Sequence, residues 1–298
     1  MGKHGFWEQS MSKDKHKDEG YDPPKVWKWK KNKADPFGGM NRPISGATHE
    51  SKLPRGKHPF QLYSLGSPNG QKVTIMFEEL LAAGHKDAEY DAWLINIMQR
   101  DQFGSGFVAL NPNSKIPALL DRSGKKPVRV FESASILLHL AEKFGAFLPA
   151  SGPTRAECFS WLMWQMSTAP VIGGGFGHFY GYAGTKLKYP INRYAMEVKR
   201  ILDVADKHLA NNRYFCGKHF TIADIANFGW LNYLVRGDAY GGSRFLDTAS
   251  YEHVGRWVDD LRMREGVRRG LIVNRGGQMG GIAERHCAAD IDAALARG

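Results

Sequence analysis

The sequence predicts an α/β domain followed by an all-helical domain, the order of a thioredoxin-like fold joined to a helical bundle. Three observations carry that prediction. Strand and helix patterns alternate over residues 58–147, only helical patterns follow from residue 154, and Pro117 opens the third strand-like run. Residues 1–57 precede this body as an arm, and residues 276–298 follow it as a Gly-rich, charged tail expected to wrap or fray.

The elements follow in order. Residues 1–20 are polar and expected to be disordered. Residues 21–57 hold Trp27, Trp29 and several prolines, so they are expected to lie extended on the body or on a partner subunit. Phe60, Leu62, Tyr63 and Leu65 make the first strand, and Val73, Met76, Phe77, Leu80 and Leu81 recur at the spacing of an amphipathic helix. Between them, Leu65-Gly66-Ser67-Pro68-Asn69-Gly70-Gln71-Lys72 turns the chain into a helix N-terminus. Such a junction offers free backbone N–H groups and the positive end of a dipole, to which Ser67 and Asn69 add side-chain donors. An anion such as a thiolate would be held there, although Ser67 or Asn69 capping the helix explains the same residues.

A second strand spans residues 90–95, and a polar loop with Gln102 leads to Lys115-Ile116-Pro117, where the proline suits a strand start or a cis turn. Val128-Arg129-Val130-Phe131 then feeds Glu132-Ser133 at a second helix start. The second half, residues 148–275, carries helical patterns over 161–166 and on past Pro170, and over 192–209, 222–234 and 254–261. Thr221-Ile222-Ala223-Asp224 has capping-box form. The run Gly173-Gly174-Gly175-Phe176-Gly177 lacks the strand and Lys-Ser/Thr of a phosphate loop, so it reads as close packing or a bend.

Composition bounds the function. Hydrophobic residues make up 42% and charged residues 24%, no apolar run approaches the ~20 residues of a membrane span, and the start lacks the apolar core of a secretory signal. A cytoplasmic protein is expected. Cys158, Cys216 and Cys287 have neither zinc nor C-x-x-C spacing, which argues against a metal site and a built-in dithiol. Any thiol chemistry at Ser67 must therefore import its thiol. The net charge of +11 is concentrated in residues 1–58, with 13 Lys+Arg against 7 Asp+Glu, and no nucleic-acid-binding motif accompanies it.

Ser67-Pro68-Asn69, Asn113-Ser114-Lys115-Ile116-Pro117, Glu132-Ser133 and Phe220-Thr221-Ile222-Ala223-Asp224 together resemble the cytosolic glutathione transferases. Lys25-Val26-Trp27-Lys28-Trp29, Asn41-Arg42-Pro43, residues 63–72 and 173–180, and Asn192-Arg193 narrow the resemblance to the bacterial nu class. The resemblance implies a homodimer binding two glutathiones per subunit, or one glutathione disulfide, and reducing small-molecule disulfides or removing glutathione from thioether conjugates. By it Ser67 and Asn69 face the thiols. Gln102, Lys115, Ile116, Glu132 and Ser133 hold the first peptide, and Asn41 and Arg193 reach the second. Tyr182 and Tyr240 are placed over the thiols, against a plain packing role for each. Arg193 is weighed against a surface ion pair, and His178 reads as a packing residue. Ser67 stands where the class usually has threonine, and Met166 near a glutamine that often helps bind the second glutathione.

The chemistry is within reach of these groups. A free thiol has a pKa of about 8.5, and lowering it by two units needs about 2.7 kcal/mol. One hydrogen bond to the anion supplies about 1.5–3 kcal/mol and a helix N-terminus about 0.3–1 kcal/mol. A non-catalytic glutathione-binding scaffold and a nucleic-acid binder using the basic arm are the competing classes. Intact Ser67, Asn69 and Glu132 speak against the first, and the charge distribution against the second.

Overall fold

Strand β1 (Phe60–Ser64) is buried at all five positions, and the sheet assembles around it. In the computed structural model, which describes residues 22–30, 42–275 and 280–297, β1 runs parallel to β2 (Tyr90–Leu94) and antiparallel to β3 (Ala118–Asp121). Strand β4 (Val128–Phe131) pairs antiparallel with β3, giving the order β2-β1-β3-β4. Helix α1 (Pro68–Ala82) connects β1 to β2, α2 (Ser105–Leu110) lies before β3, and α3 (Ser133–Phe144) follows β4. Phe77 of α1 stacks on Tyr90 with ring centroids 4.3 Å apart. Tyr63, Ile95, Phe107, Leu110 and Ala118 form a separate apolar cluster.

The second half is helical: α4 (Gly152–Pro170), a π-type stretch (Val171–Tyr182), α5 (Lys188–Ala210), α6 (Ile222–Arg236), α7 (Ser243–Leu246), α8 (Glu252–Arg262), α9 (Glu265–Leu271) and α10 (Ala288–Leu295). The capping box forms as its spacing predicts. Ala223 N donates to Thr221 Oγ1 and Thr221 N to Asp224 Oδ2, so α6 starts at Ile222. The glycine run serves close packing. A Cβ at Gly173 would lie 2.6 Å from the Trp230 ring, and one at Gly177 would strike the Tyr240 ring. Both halves share one apolar core, to which Phe77, Leu137, Leu162, Phe228 and Trp257 contribute. Among the described residues no helix is long and apolar enough to cross a membrane.

Two features differ from the sequence reading, and the tail takes the first of the two forms expected of it. Helix α1 is buried on every face from Gly70 to Leu80 rather than amphipathic, because the C-terminal segment covers its second face. Thr74 Oγ1 donates to Gly270 O at 2.7 Å, and Arg264 and Arg285 pair with Glu79 and Glu78. The tail wraps rather than frays: Ala92 N donates to Arg285 O and Arg285 N to Ala92 O, at 2.8 and 3.1 Å. Finally, Cys158 and Cys216, both buried, act on each other despite their separation in sequence, and Thr221 Oγ1 donates to Cys216 Sγ at 3.3 Å. Among the described residues no hydrogen bond joins that pair to Ser67 or Asn69.

The chain divides into two units, Met1–Pro43 and Ile44–Gly298. In the first, Trp27 and Trp29 are exposed. In the second, residues 48–51 lie beside 103–106 through bonds such as Thr48 N to Phe103 O and Ser105 N to His49 O, both 2.9 Å.

Candidate active site

Ser67 is the N-cap of α1, its hydroxyl oxygen accepting from Gly70 N at 3.3 Å. Capping and anion binding are compatible here. The cap uses an oxygen lone pair and leaves the hydroxyl proton as a donor. Pro68 starts the helix and no acidic residue occupies its first turn, so nothing offsets the positive end of the dipole.

Asn69 is fixed by a residue the sequence reading missed. Trp230 Nε1 donates to Asn69 Oδ1 at 2.9 Å. An indole nitrogen only donates, so the amide oxygen must face Trp230 and the two N–H donors of Asn69 must face away from it. The approach depends on Gly229, where a Cβ would strike the Pro68 carbonyl of the turn. Helix α6 thus sits directly on the Ser67 turn and orients its amide.

The Glu132-Ser133 junction is tied to the same helix. Glu132 holds φ 70° and ψ 122°, a conformation that costs a non-glycine residue about 1–3 kcal/mol and collects at functional sites. Its carboxylate is exposed while Ser133 is buried. Lys72 Nζ, buried in α1, donates to Ser133 Oγ at 3.1 Å. The structure therefore brings together the two helix starts that the sequence singled out.

The Ile116–Pro117 peptide is cis, one of the two forms its position allowed. Asn111 Nδ2 donates to Lys115 O at 2.6 Å, the Lys115 side chain is exposed, and Ile116 packs on the Tyr63 cluster. Gln102 is buried with its Oε1 lacking a donor among the described residues, as an acceptor kept for a bound N–H would be.

Tyr182 and Tyr240 stand in an aromatic row that leads to Asn69. Trp230 and Tyr233 centroids lie 6.5 Å apart, Tyr233 and Tyr240 5.4 Å, and Tyr240 and Tyr182 6.1 Å. Burial pushes both phenols above the usual tyrosine range, so each is a neutral O–H group at physiological pH. Tyr182 Oη donates to Gly173 O at 3.3 Å.

One expected residue, Arg193, is not drawn in among the described residues. Arg193 is ion-paired with Glu197 one turn along α5, at 2.6 Å, and no hydrogen bond links it to the Ser67 turn or to Glu132-Ser133. Asn41 lies outside the described residues. The His178 ring packs edge-on against Phe179 and Tyr182.

Fold and site define a thioredoxin-like domain whose Ser67-Asn69 helix start is covered by a helical domain. Residues 60–142 match the glutathione S-transferase N-terminal domain and residues 189–260 the C-terminal domain. The chain belongs to the glutathione S-transferase family. It is 56% identical to the disulfide-bond oxidoreductase YghU of Escherichia coli K12, over 92% of this chain and 96% of that one. Among solved structures it resembles the glutathione transferase YghU of Streptococcus pneumoniae complexed with glutathione, with TM-score 0.83 and 56% identity over 85% of this chain and 97% of that one. A family member from Pseudomonas fluorescens with two glutathiones bound aligns with TM-score 0.66 and 38% identity over 71% of this chain and 92% of that one.

Proposed function

We propose that the chain is a glutathione-dependent thiol–disulfide oxidoreductase of the nu class, binding two glutathiones per subunit, or one glutathione disulfide, and reducing disulfides or cleaving glutathione thioethers. The observation that supports this is the Ser67-Asn69 turn, where the cap and Trp230 occupy acceptor atoms only and so leave the hydroxyl proton and the amide N–H groups to meet an incoming anion. Glutathione is a substrate here: two of its thiols are oxidised to one disulfide as a substrate disulfide is reduced to two thiols. Ser67 and Asn69 hold the attacking sulfur as a thiolate. Gln102, the Lys115 and Ile116 backbone, Glu132 and Ser133 hold the first peptide, and Asn41 and Arg193 reach the second once Arg193 exchanges Glu197 for a carboxylate. Tyr240, and Tyr182 once it leaves the Gly173 carbonyl, donate O–H groups to the substrate side. Exposed Met163 on α4, with Tyr189 and Met196 on α5, supports a homodimer.

Co-crystallisation and calorimetry with glutathione test the reading, with two molecules per subunit and sedimentation at twice 33.3 kDa expected. A single bound glutathione in a monomer sinks the two-thiol mechanism. The role of Trp230 is testable separately. Trp230→Phe keeps an aromatic ring on α6 but removes the donor to Asn69, together with the outer indole edge that faces Gly173. Loss of one hydrogen bond, about 0.5–1.5 kcal/mol, is expected to lower kcat/KM by roughly three- to tenfold. An unchanged kcat/KM shows that Asn69 needs no such support.

A further inference from the structure

Lys72 is fully buried, and no carboxylate lies within ion-pair distance of it among the described residues. Its Nζ donates to three neutral groups: Ser133 Oγ at 3.1 Å, Gln165 Oε1, and Met166 Sδ at 3.9 Å. The buried Arg285, covering the same helix, instead has two carboxylates within 3.1 Å. A buried cation without a countercharge is costly, and burial pulls the Lys72 pKa down to about 7 despite the opposing pull of Glu132.

A second deficit lies beside the first. An ammonium only donates, so Gln165 Oε1 must face Lys72 and Nε2 must face away. That Nε2 is buried with no acceptor among the described residues. Below the Ser133 hydroxyl the protein thus keeps a spare positive charge and a spare donor, deficits of the kind a bound carboxylate meets.

We propose that Lys72 is the buried countercharge for the free carboxylate of the γ-glutamyl group, a positioning residue that acts on the ligand through Ser133. The inference rests on the reading above that Glu132-Ser133 holds that end of glutathione. Ser133 Oγ accepts from Lys72, so its single proton is left to donate, and it now points to Met166 Sδ at 3.6 Å, a weak acceptor. A carboxylate is a far better one, and the cation on the Ser133 lone pair strengthens the bond.

Proton linkage follows. The bound carboxylate favours the ammonium form, so the Lys72 pKa is higher in the complex than in the free protein. Affinity is full below about pH 7, where free Lys72 is already charged. Above it, binding takes up a proton and affinity falls as pH rises toward the pKa of the complex. Among the described residues Glu132 is the charged group acting on Lys72, and Ser133, Gln165 and Met166 face it as neutral groups.

S-methylglutathione, which has no thiol to titrate, is the probe. Calorimetry of the wild-type protein at pH 7.5, in two buffers of different ionisation enthalpy, is expected to show net proton uptake. Its Kd is expected to rise by up to roughly tenfold between pH 6.5 and 8.5. Lys72→Met, an apolar side chain of similar length, is expected to bind about tenfold more weakly at pH 6.5 with no uptake and a flat profile. Adding Lys72→Met to Ser133→Ala is expected to weaken binding little further. Absence of proton uptake by the wild type, or its persistence in a folded Lys72→Met protein, overturns the assignment. Failure of the wild type to bind the probe at all overturns the glutathione reading and this inference with it.

Discussion

Ser67→Ala is expected to lower disulfide-reductase turnover at pH 7 by roughly ten- to a hundredfold, and to raise the pKa of the bound thiol by about one to two units. The shift follows from losing one hydrogen bond to an anion, about 1.5–3 kcal/mol. Thiolate loss is not the whole effect, because a thiolate of higher pKa is a better nucleophile and recovers part of the rate. A fall beyond that offset measures the loss of sulfur positioning. Thiolate absorbance against pH separates the two contributions. Ser67 also caps α1 through a long 3.3 Å contact, so Ala costs stability near the low end of about 0.5–2 kcal/mol. Ser67→Gly keeps most of the cap and loses the donor, so it is expected to be as inactive as Ala and nearly as stable as wild type. Ser67→Thr is expected to restore the rate. A bound thiol pKa unmoved by Ser67→Ala but raised by Asn69→Ala would make Asn69 the principal donor.

What the sequence disclosed about the site is what lies within a few residues of a turn. The Ser67 cap, the Pro117 element and the Glu132-Ser133 helix start each declare themselves through residue types with fixed backbone roles, and the structure has each in place. The unseen contacts span the chain. Trp230 meets Asn69 across 161 positions, and Lys72 meets Gln165 across 93. Periodicity can say that a helix position is buried but not which side chain from another helix faces it. Glu78 and Glu79 lie between the apolar positions of a helix expected to be amphipathic, yet they are buried because one cover of α1 is supplied from beyond residue 260. Cys158 and Cys216 illustrate the same limit, since spacing rules recognise local pairs only.

Arg285→Met is expected to cost about 3 kcal/mol, toward the low end of the range for breaking a buried ion pair. The guanidinium is wholly buried, with Nε 3.1 Å from Glu78 Oε1 and Nη1 2.6 Å from Glu89 Oε2 and 2.7 Å from Tyr90 O. Methionine preserves much of the packing over the Tyr90 ring but leaves Glu78 with only Arg269 and the Tyr90 hydroxyl. Those two partners are why the low end of the range applies. For a chain of this size the loss corresponds to a melting point lower by roughly 6–12 °C. Adding Glu78→Gln is expected to recover part of it by removing the stranded charge; a melt unchanged by Arg285→Met would show the network to be dispensable. The effect reaches the active site through the backbone. The segment that carries Arg285 is preceded by Asn274, whose carbonyl accepts from Gly66 N at 2.8 Å, and whose own amide donates to Ala283 O. The tail therefore clamps the residue before Ser67, and releasing it is expected to speed hydrogen exchange at the Gly66 and Gly70 amides before α1 opens as a whole.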